Sequence, residues 1–146
     1  MVLDAMNFHT LIAVFLASIH LSYASTDLSI DDIPPPSPRW YPLACWTYGE
    51  KFEESYKIAA DYTAEACNNV LGNRNYTEMQ KATACYNIGF DKRVDFTVAL
   101  RKYPARFLPS EECRRRLLPI VLLCRHGGRR VYHDWKFKAD PNRGLC

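Results

Sequence analysis

Phe52, Tyr56, Ala59, Ala60, Thr63, Cys67, Val70 and Leu71 recur at steps of three and four. That period predicts an amphipathic helix over residues 50–71. Glu50, Glu53 and Glu54 fall near its positive end, where the helix dipole favours acids. Gly72 predicts its stop, because glycine reaches left-handed angles without strain. The period then falls to two. Ala82, Ala84 and Tyr86 alternate with Thr83, Cys85 and Asn87, which predicts a strand within residues 76–88. Residues 89–92 read as a turn. Val94, Phe96, Val98 and Leu100 share one side of a second strand over 93–100. Ser110 is the predicted cap of another helix, with Glu111 and Glu112 in its first turn and Cys113, Leu117, Val121 and Cys124 on one face. Pro119 lacks a donor and predicts a kink or split there, and Gly127-Gly128 predicts the end. Val131, His133, Trp135 and Phe137 then share a face of a strand over 129–138. The aromatic segment 40–48, ended by Gly49, predicts a first strand, and residues 139–146 predict a tail tethered by Cys146.

The resulting order is β-α-β-β-α-β. It predicts an α+β fold, a four-stranded, mostly antiparallel sheet with two main helices packed on it. The first 24 residues stand apart. Residues 11–19 form a short apolar run, followed by small residues at Ser22 and Ala24, which reads as a signal peptide spanning 1–24. The run is too short to cross a bilayer, so no stable membrane insertion is expected. Residues 25–39 are acidic and then proline-rich, and predict an extended leader. The expected domain is 40–146.

Secretion changes how the cysteines are read. All six (Cys45, Cys67, Cys85, Cys113, Cys124 and Cys146) lie beyond the signal segment. In a small secreted chain an even count predicts disulfides, here three, although six cysteines allow about 15 pairings and spacing does not choose. No C-x-x-C occurs, so neither a metal nor a cofactor is expected. Asn75-Tyr76-Thr77 is an N-glycosylation sequon and makes Asn75 a candidate glycan carrier.

Candidate chemistry is sparse. Loss of Asp4 with the signal segment moves the formal charge from +3 to +4, which suits solubility and anionic surfaces without implying nucleic acid. Arg114, Arg115, Arg116, Arg125, Arg129, Arg130, Lys136 and Lys138 would form one basic patch if the second helix abuts the last strand. A basic polyanion- or membrane-binding antimicrobial protein is one alternative. A secreted ribonuclease is another, needing a base, an acid and a cation at the phosphate, for which His126, His133, Asp134, Arg129 and Arg130 are the available groups. His133 and Asp134 would face opposite ways on a strand, so this constellation is not read from the sequence and no catalytic residue is assigned. Asn73, Arg74, Asn75, His126, Arg129 and Arg130, in or beside predicted loops, are the candidate partner contacts.

Trp135-Lys136-Phe137-Lys138 resembles the Trp-Arg-Phe/Tyr-x-Arg signature of the Leptosphaeria avirulence and suppressing proteins, secreted effectors of plant-pathogenic fungi. Lysine replaces the first arginine at Lys136, and Ala139 stands where the second would be. The resemblance spans about residues 40–146. It implies a non-catalytic, extracellular effector that binds host plant proteins and is recognised by an immune receptor, with masking by another effector as a further relation. It also implies that Trp135 and Phe137 are structural, with the basic stem of Lys136 on the opposite face. A secreted effector acting by binding is therefore the function expected from the sequence.

Overall fold

The computed structural model describes residues 43–102 and 104–146; the expected signal peptide 1–24 and leader 25–39 lie outside the described residues. The strands are β1 (Leu43–Cys45), β2 (Arg74–Tyr76), β3 (Lys81–Gly89), β4 (Lys92–Leu100), β5 (Arg106–Leu108), β6 (Gly128–Tyr132) and β7 (Trp135–Arg143). Helix α1 (Tyr56–Ala66) follows a 3₁₀ turn, Glu53–Ser55, and runs into a wider π turn, Cys67–Leu71; α2 spans Ser110–Leu123.

The fold class expected from the sequence is the one observed: α+β, two helices on an antiparallel sheet, three disulfides. The main sheet has five strands in the order β1-β6-β7-β4-β3. The predicted last strand is really a hairpin, β6 and β7 joined at His133-Asp134. The two-residue turn inverts the alternation: Tyr132 and Arg130 share the face of Trp135 and Phe137, and Val131, expected on that face, lies across from Lys136 on the other side. His133 carries the strain, with φ at 51°, as the first central position of such tight turns requires. A separate ribbon pairs β2 with β5, with Arg74, Asn75 and Tyr76 opposite Leu108, Phe107 and Arg106. Three-residue strands carry too little alternation to be predicted.

The core lies between the sheet and the helices. Phe96, Val98 and Phe137 are fully buried beneath Ala59, Ala60, Leu117 and Ile120. The predicted α1 stripe is largely buried, though Tyr56 is 41% exposed. Thr63 is buried and donates its hydroxyl to the Ala60 carbonyl at 2.6 Å. Glu50 does not belong to the helix; it pairs with Lys92 and Arg143 and fastens the preceding loop to the sheet end. Cys67–Cys113 joins the end of α1 to the start of α2, Cys45–Cys124 joins β1 to the end of α2, and Cys85–Cys146 holds the C-terminus on β3.

Three local expectations are corrected. Gly72 is extended rather than left-handed, with φ −111° and ψ −174°. A Cβ there would lie 2.4 Å from the Cys67 carbonyl oxygen and 2.7 Å from Ser110 Cα, so close approach requires the glycine. Ser110 does not cap α2. It is the first helical residue, and its N–H donates to Asn73 Oδ1 at 3.1 Å. Pro119 does not split α2, which continues through it. The lost hydrogen bond is local, while disulfides fix the helix at Cys113 and at the residue following it, Cys124.

Candidate functional site: the outer face of the sheet

Alternation gives the sheet two faces. The residues between the core positions form a second surface directed away from the helices. Pairing registers place Lys81, Ala99, Lys136 and Val131 in one row across β3, β4, β7 and β6. Thr83, Thr97, Lys138, Arg129 and Ala44 form the next row, extending to β1. A third holds Cys85, Asp95 and Asp140, and a fourth Asn87, Arg93 and Asn142. Small residues make a shallow floor, and long charged ones stand around it.

Two segments border this face. Trp46 follows β1 and its N–H donates to the Gly127 carbonyl at 3.0 Å. The Lys138 ammonium lies 5.1 Å from the centre of the Trp46 ring and 2.8 Å from Asp140 Oδ2. The second segment is the C-terminal tail, drawn onto β3 by Cys85–Cys146. The Cys146 N–H donates to Asn87 Oδ1 at 2.8 Å, and Arg93 Nη1 donates to the Arg143 carbonyl at 2.9 Å. In the same corner Asp95 Oδ2 accepts from Arg93 Nε at 3.2 Å and Asn142 Nδ2 at 2.8 Å. The arrangement is a planar array of donors and acceptors with an aromatic ring at its rim. Sugars present matching chemistry: hydroxyls that both donate and accept, and C–H faces that lie on aromatic rings.

The candidate residues from the sequence do not form one site. Asn73, Arg74 and Asn75 lie near the start of α2. Asn73 caps that helix, and Arg74 Nη1 donates to the Val70 carbonyl at 3.2 Å while its guanidinium lies 5.1 Å from the Tyr76 ring. Asn75 is exposed. His126 lies beyond the other end of α2, about 20 Å away by helix rise, with Nδ1 2.9 Å from the Gly49 carbonyl. Arg129 is on the outer face, whereas its neighbour Arg130 faces the helices.

The expected single basic patch is divided in the same way. On the helix side Arg116 is 8% exposed, donates Nε to Glu112 at 2.7 Å and stacks 3.4 Å above the Tyr132 ring. Burial raises the Glu112 carboxyl, but hydrogen bonds from Arg115 and Arg116 outweigh it and hold the group below its ordinary value. Burial, then repulsion from Arg116, lowers Arg130. Lys136 and Lys138 join Arg129 outside. The ribonuclease constellation also separates. His126 and His133 flank the five-residue strand β6, about 17 Å long, and Asp134 pairs with Arg106 at 3.2 Å.

Residues 59–146 match the family described as glycan binding domain Y3. The chain belongs to this family. The matched region runs from within α1 to the C-terminus and includes β3, β4, β6 and β7, the strands that carry the polar rows. Comparison with curated proteins gives no match. Membership of the Y3 family gives residues 59–146 a different relationship from the effector family suggested by Trp135-Lys136-Phe137-Lys138. Trp135 is 7% exposed and Phe137 fully buried, with the intervening lysine outside, as any strand at this position of the sheet would place them.

Sequence reasoning passed over Trp46, Thr97, Asp95, Asp140 and Asn142 as site residues. A signal was present in Arg93-x-Asp95-x-Thr97 and Lys136-x-Lys138-x-Asp140-x-Asn142, the complement of the apolar alternation. Only the pairing of β4 with β7 shows that these two runs form one surface.

Proposed function

We propose that this protein is a secreted, non-catalytic glycan-binding protein and that its saccharide lies on the outer sheet face beside Trp46. The observation that carries the reading is membership of the Y3 glycan-binding family over the segment that contains those strands. The polar array supports it, because saturating hydroxyl groups needs fixed donors and acceptors rather than an apolar cavity. Three disulfides and the apolar run at residues 11–19 support secretion, and Asn75 is the proposed glycan carrier on that route. Among the described residues no helix is long and apolar enough to cross a membrane.

The test is calorimetric titration of the purified domain with neutral and charged oligosaccharides, alongside Trp46→Ala. The variant should keep its melting temperature and lose about tenfold in affinity, the scale of one aromatic contact. Undiminished binding by the variant would remove Trp46 from the site. Failure of every glycan would remove the function.

An effector role is a second proposal. It rests on Trp135-Lys136-Phe137-Lys138, whose lysines stand on the outer face and could meet a host surface there. Host plant proteins, an immune receptor and a masking effector are the partners it entails. Line-specific cell death on expression of the mature chain in a panel of plant genotypes would support it; silence from intact secreted protein would contradict it.

A further inference from the structure

The outer face is electrically divided. In the two rows nearest the tail, Asp95 is satisfied by Arg93 and Asn142, and Asp140 is paired with Lys138. The other two rows hold Lys81, Lys136, Lys138 and Arg129 and no acidic residue. Of these, the side chains of Lys81, Lys136 and Arg129 make no hydrogen bond or ion pair with any described residue. Arg129 stands directly across from Lys138 in the β6–β7 register. Like charges placed opposite each other destabilise a sheet. Asp140 offsets the charge of Lys138, but Arg129, Lys136 and Lys81 have no acidic partner among the described residues, and an anionic ligand would supply one.

We propose that this half of the face is a subsite for sulfate groups on a glycan, so that the preferred ligand is a sulfated oligosaccharide; the inference rests on the proposed glycan-binding function. Charge complementarity identifies an anion. The residue types favour sulfate over carboxylate. Three of the four cations are lysines, compact point charges without the fork that reads a carboxylate in two parallel bonds. A sulfate ester offers three acceptor oxygens in a roughly spherical arrangement, suited to separate ammonium groups. Thr97 and Ala99 between the lysines leave room for a group of that size, and Thr97 adds a hydroxyl donor. Lys136 and Lys138 are two residues apart on β7, about 7 Å along the strand, which spreads the charge along a saccharide rather than focusing it at one point. The paired corner beyond Asp140 would then meet uncharged hydroxyls of the same chain.

Three hexasaccharide probes separate the terms by calorimetry at low and high salt. Chitohexaose is neutral, unsulfated chondroitin carries carboxylates, and chondroitin sulfate adds sulfate to the same backbone. The expected order is chondroitin sulfate tighter than chondroitin by about tenfold or more, with the difference shrinking as salt screens the charges. The double variant Arg129→Gln/Lys136→Gln should abolish that difference, bringing the ratio of the two affinities to about one, while its melting temperature stays close to the parent's. Equal affinity for sulfated and unsulfated chondroitin would overturn the sulfate assignment. So would equal binding of single-stranded DNA of the same charge, which would make the face a general polyanion surface. If the variant altered only self-association in sedimentation, the face would be a contact between copies and the proposal would fall. Binding of chitohexaose without a sulfate preference defeats this inference alone; failure of all three sugars defeats the glycan-binding reading itself.

Discussion

On β7, Trp135, Phe137 and Ala139 turn toward the helices, while Lys136, Lys138 and Asp140 turn away from them. The same nine residues, Trp135–Arg143, thus contribute to two surfaces with different requirements. The inner face is apolar and closed by α1 and α2. The outer face is polar, shallow and bordered by Trp46 and the tethered tail. Stability should reside in the first and recognition in the second, and adjacent residues on one strand should separate the two effects.

The largest expected separation is between Phe137 and Lys138. Phe137→Ala removes a fully buried ring and should cost about 3–5 kcal/mol in chemical denaturation. Lys138→Ala should change stability by less than about 1 kcal/mol and weaken glycan binding. Comparable stability losses at both positions would erase the distinction between the faces.

The disulfides sharpen it next. Cys67–Cys113 clamps the two helices across a sequence separation of 46. Replacing both cysteines by serine should cost roughly 2–5 kcal/mol and leave glycan affinity of the folded fraction unchanged. Replacing Cys85 and Cys146 should also destabilise, but it frees the tail bordering the outer face and should change affinity as well. Identical binding phenotypes for the two pairs would remove the tail from the site.

Tyr76 offers a pH-dependent probe of the inner side. Its ring is fully buried and its hydroxyl donates to the Leu71 carbonyl at 2.7 Å. Burial pushes its pKa from 10.0 up to about 12, against a smaller lowering by Arg74. The folded value lies above the unfolded one, so this contribution is fully present below pH 10 and is lost as pH rises through about 12. Tyr76→Phe should flatten melting temperature against pH in that window and cost about 1 kcal/mol below it. An unchanged pH profile would contradict the assignment.

The smallest contrast concerns the start of α2. Asn73→Ala removes the acceptor of the Ser110 N–H and should cost about 1 kcal/mol. Ser110→Ala should be nearly neutral, since that hydroxyl makes no capping bond. The reverse ranking would restore the cap predicted from sequence.

These examples also show which parts of the molecule can be read from one dimension. Long amphipathic periods gave α1, α2, β3 and β4, and the even cysteine count gave three disulfides. The hairpin at His133-Asp134 was hidden because that pair lacks the glycine or asparagine that marks such a tight turn, and β2 and β5 because three residues carry no period. The disulfide pairing awaited the packing that brings Cys67 to Cys113. The candidate site was least legible. A binding face made of alternate residues on separate strands has no local motif, and its neighbours, such as Lys138 and Thr97, meet only through register. Exposure and charge alone led instead to Asn73 and Arg74, whose side chains serve the fold.

The central claim is that ligand binds the outer face. The most direct measurement is a backbone and indole NMR titration of the domain with a bound oligosaccharide. The account predicts shifts at Trp46, Thr97, Lys136 and Lys138 that saturate together, while Ala60, Leu117 and Ile120 stay still. Saturating shifts centred on the helices, with the outer rows unmoved, would contradict it.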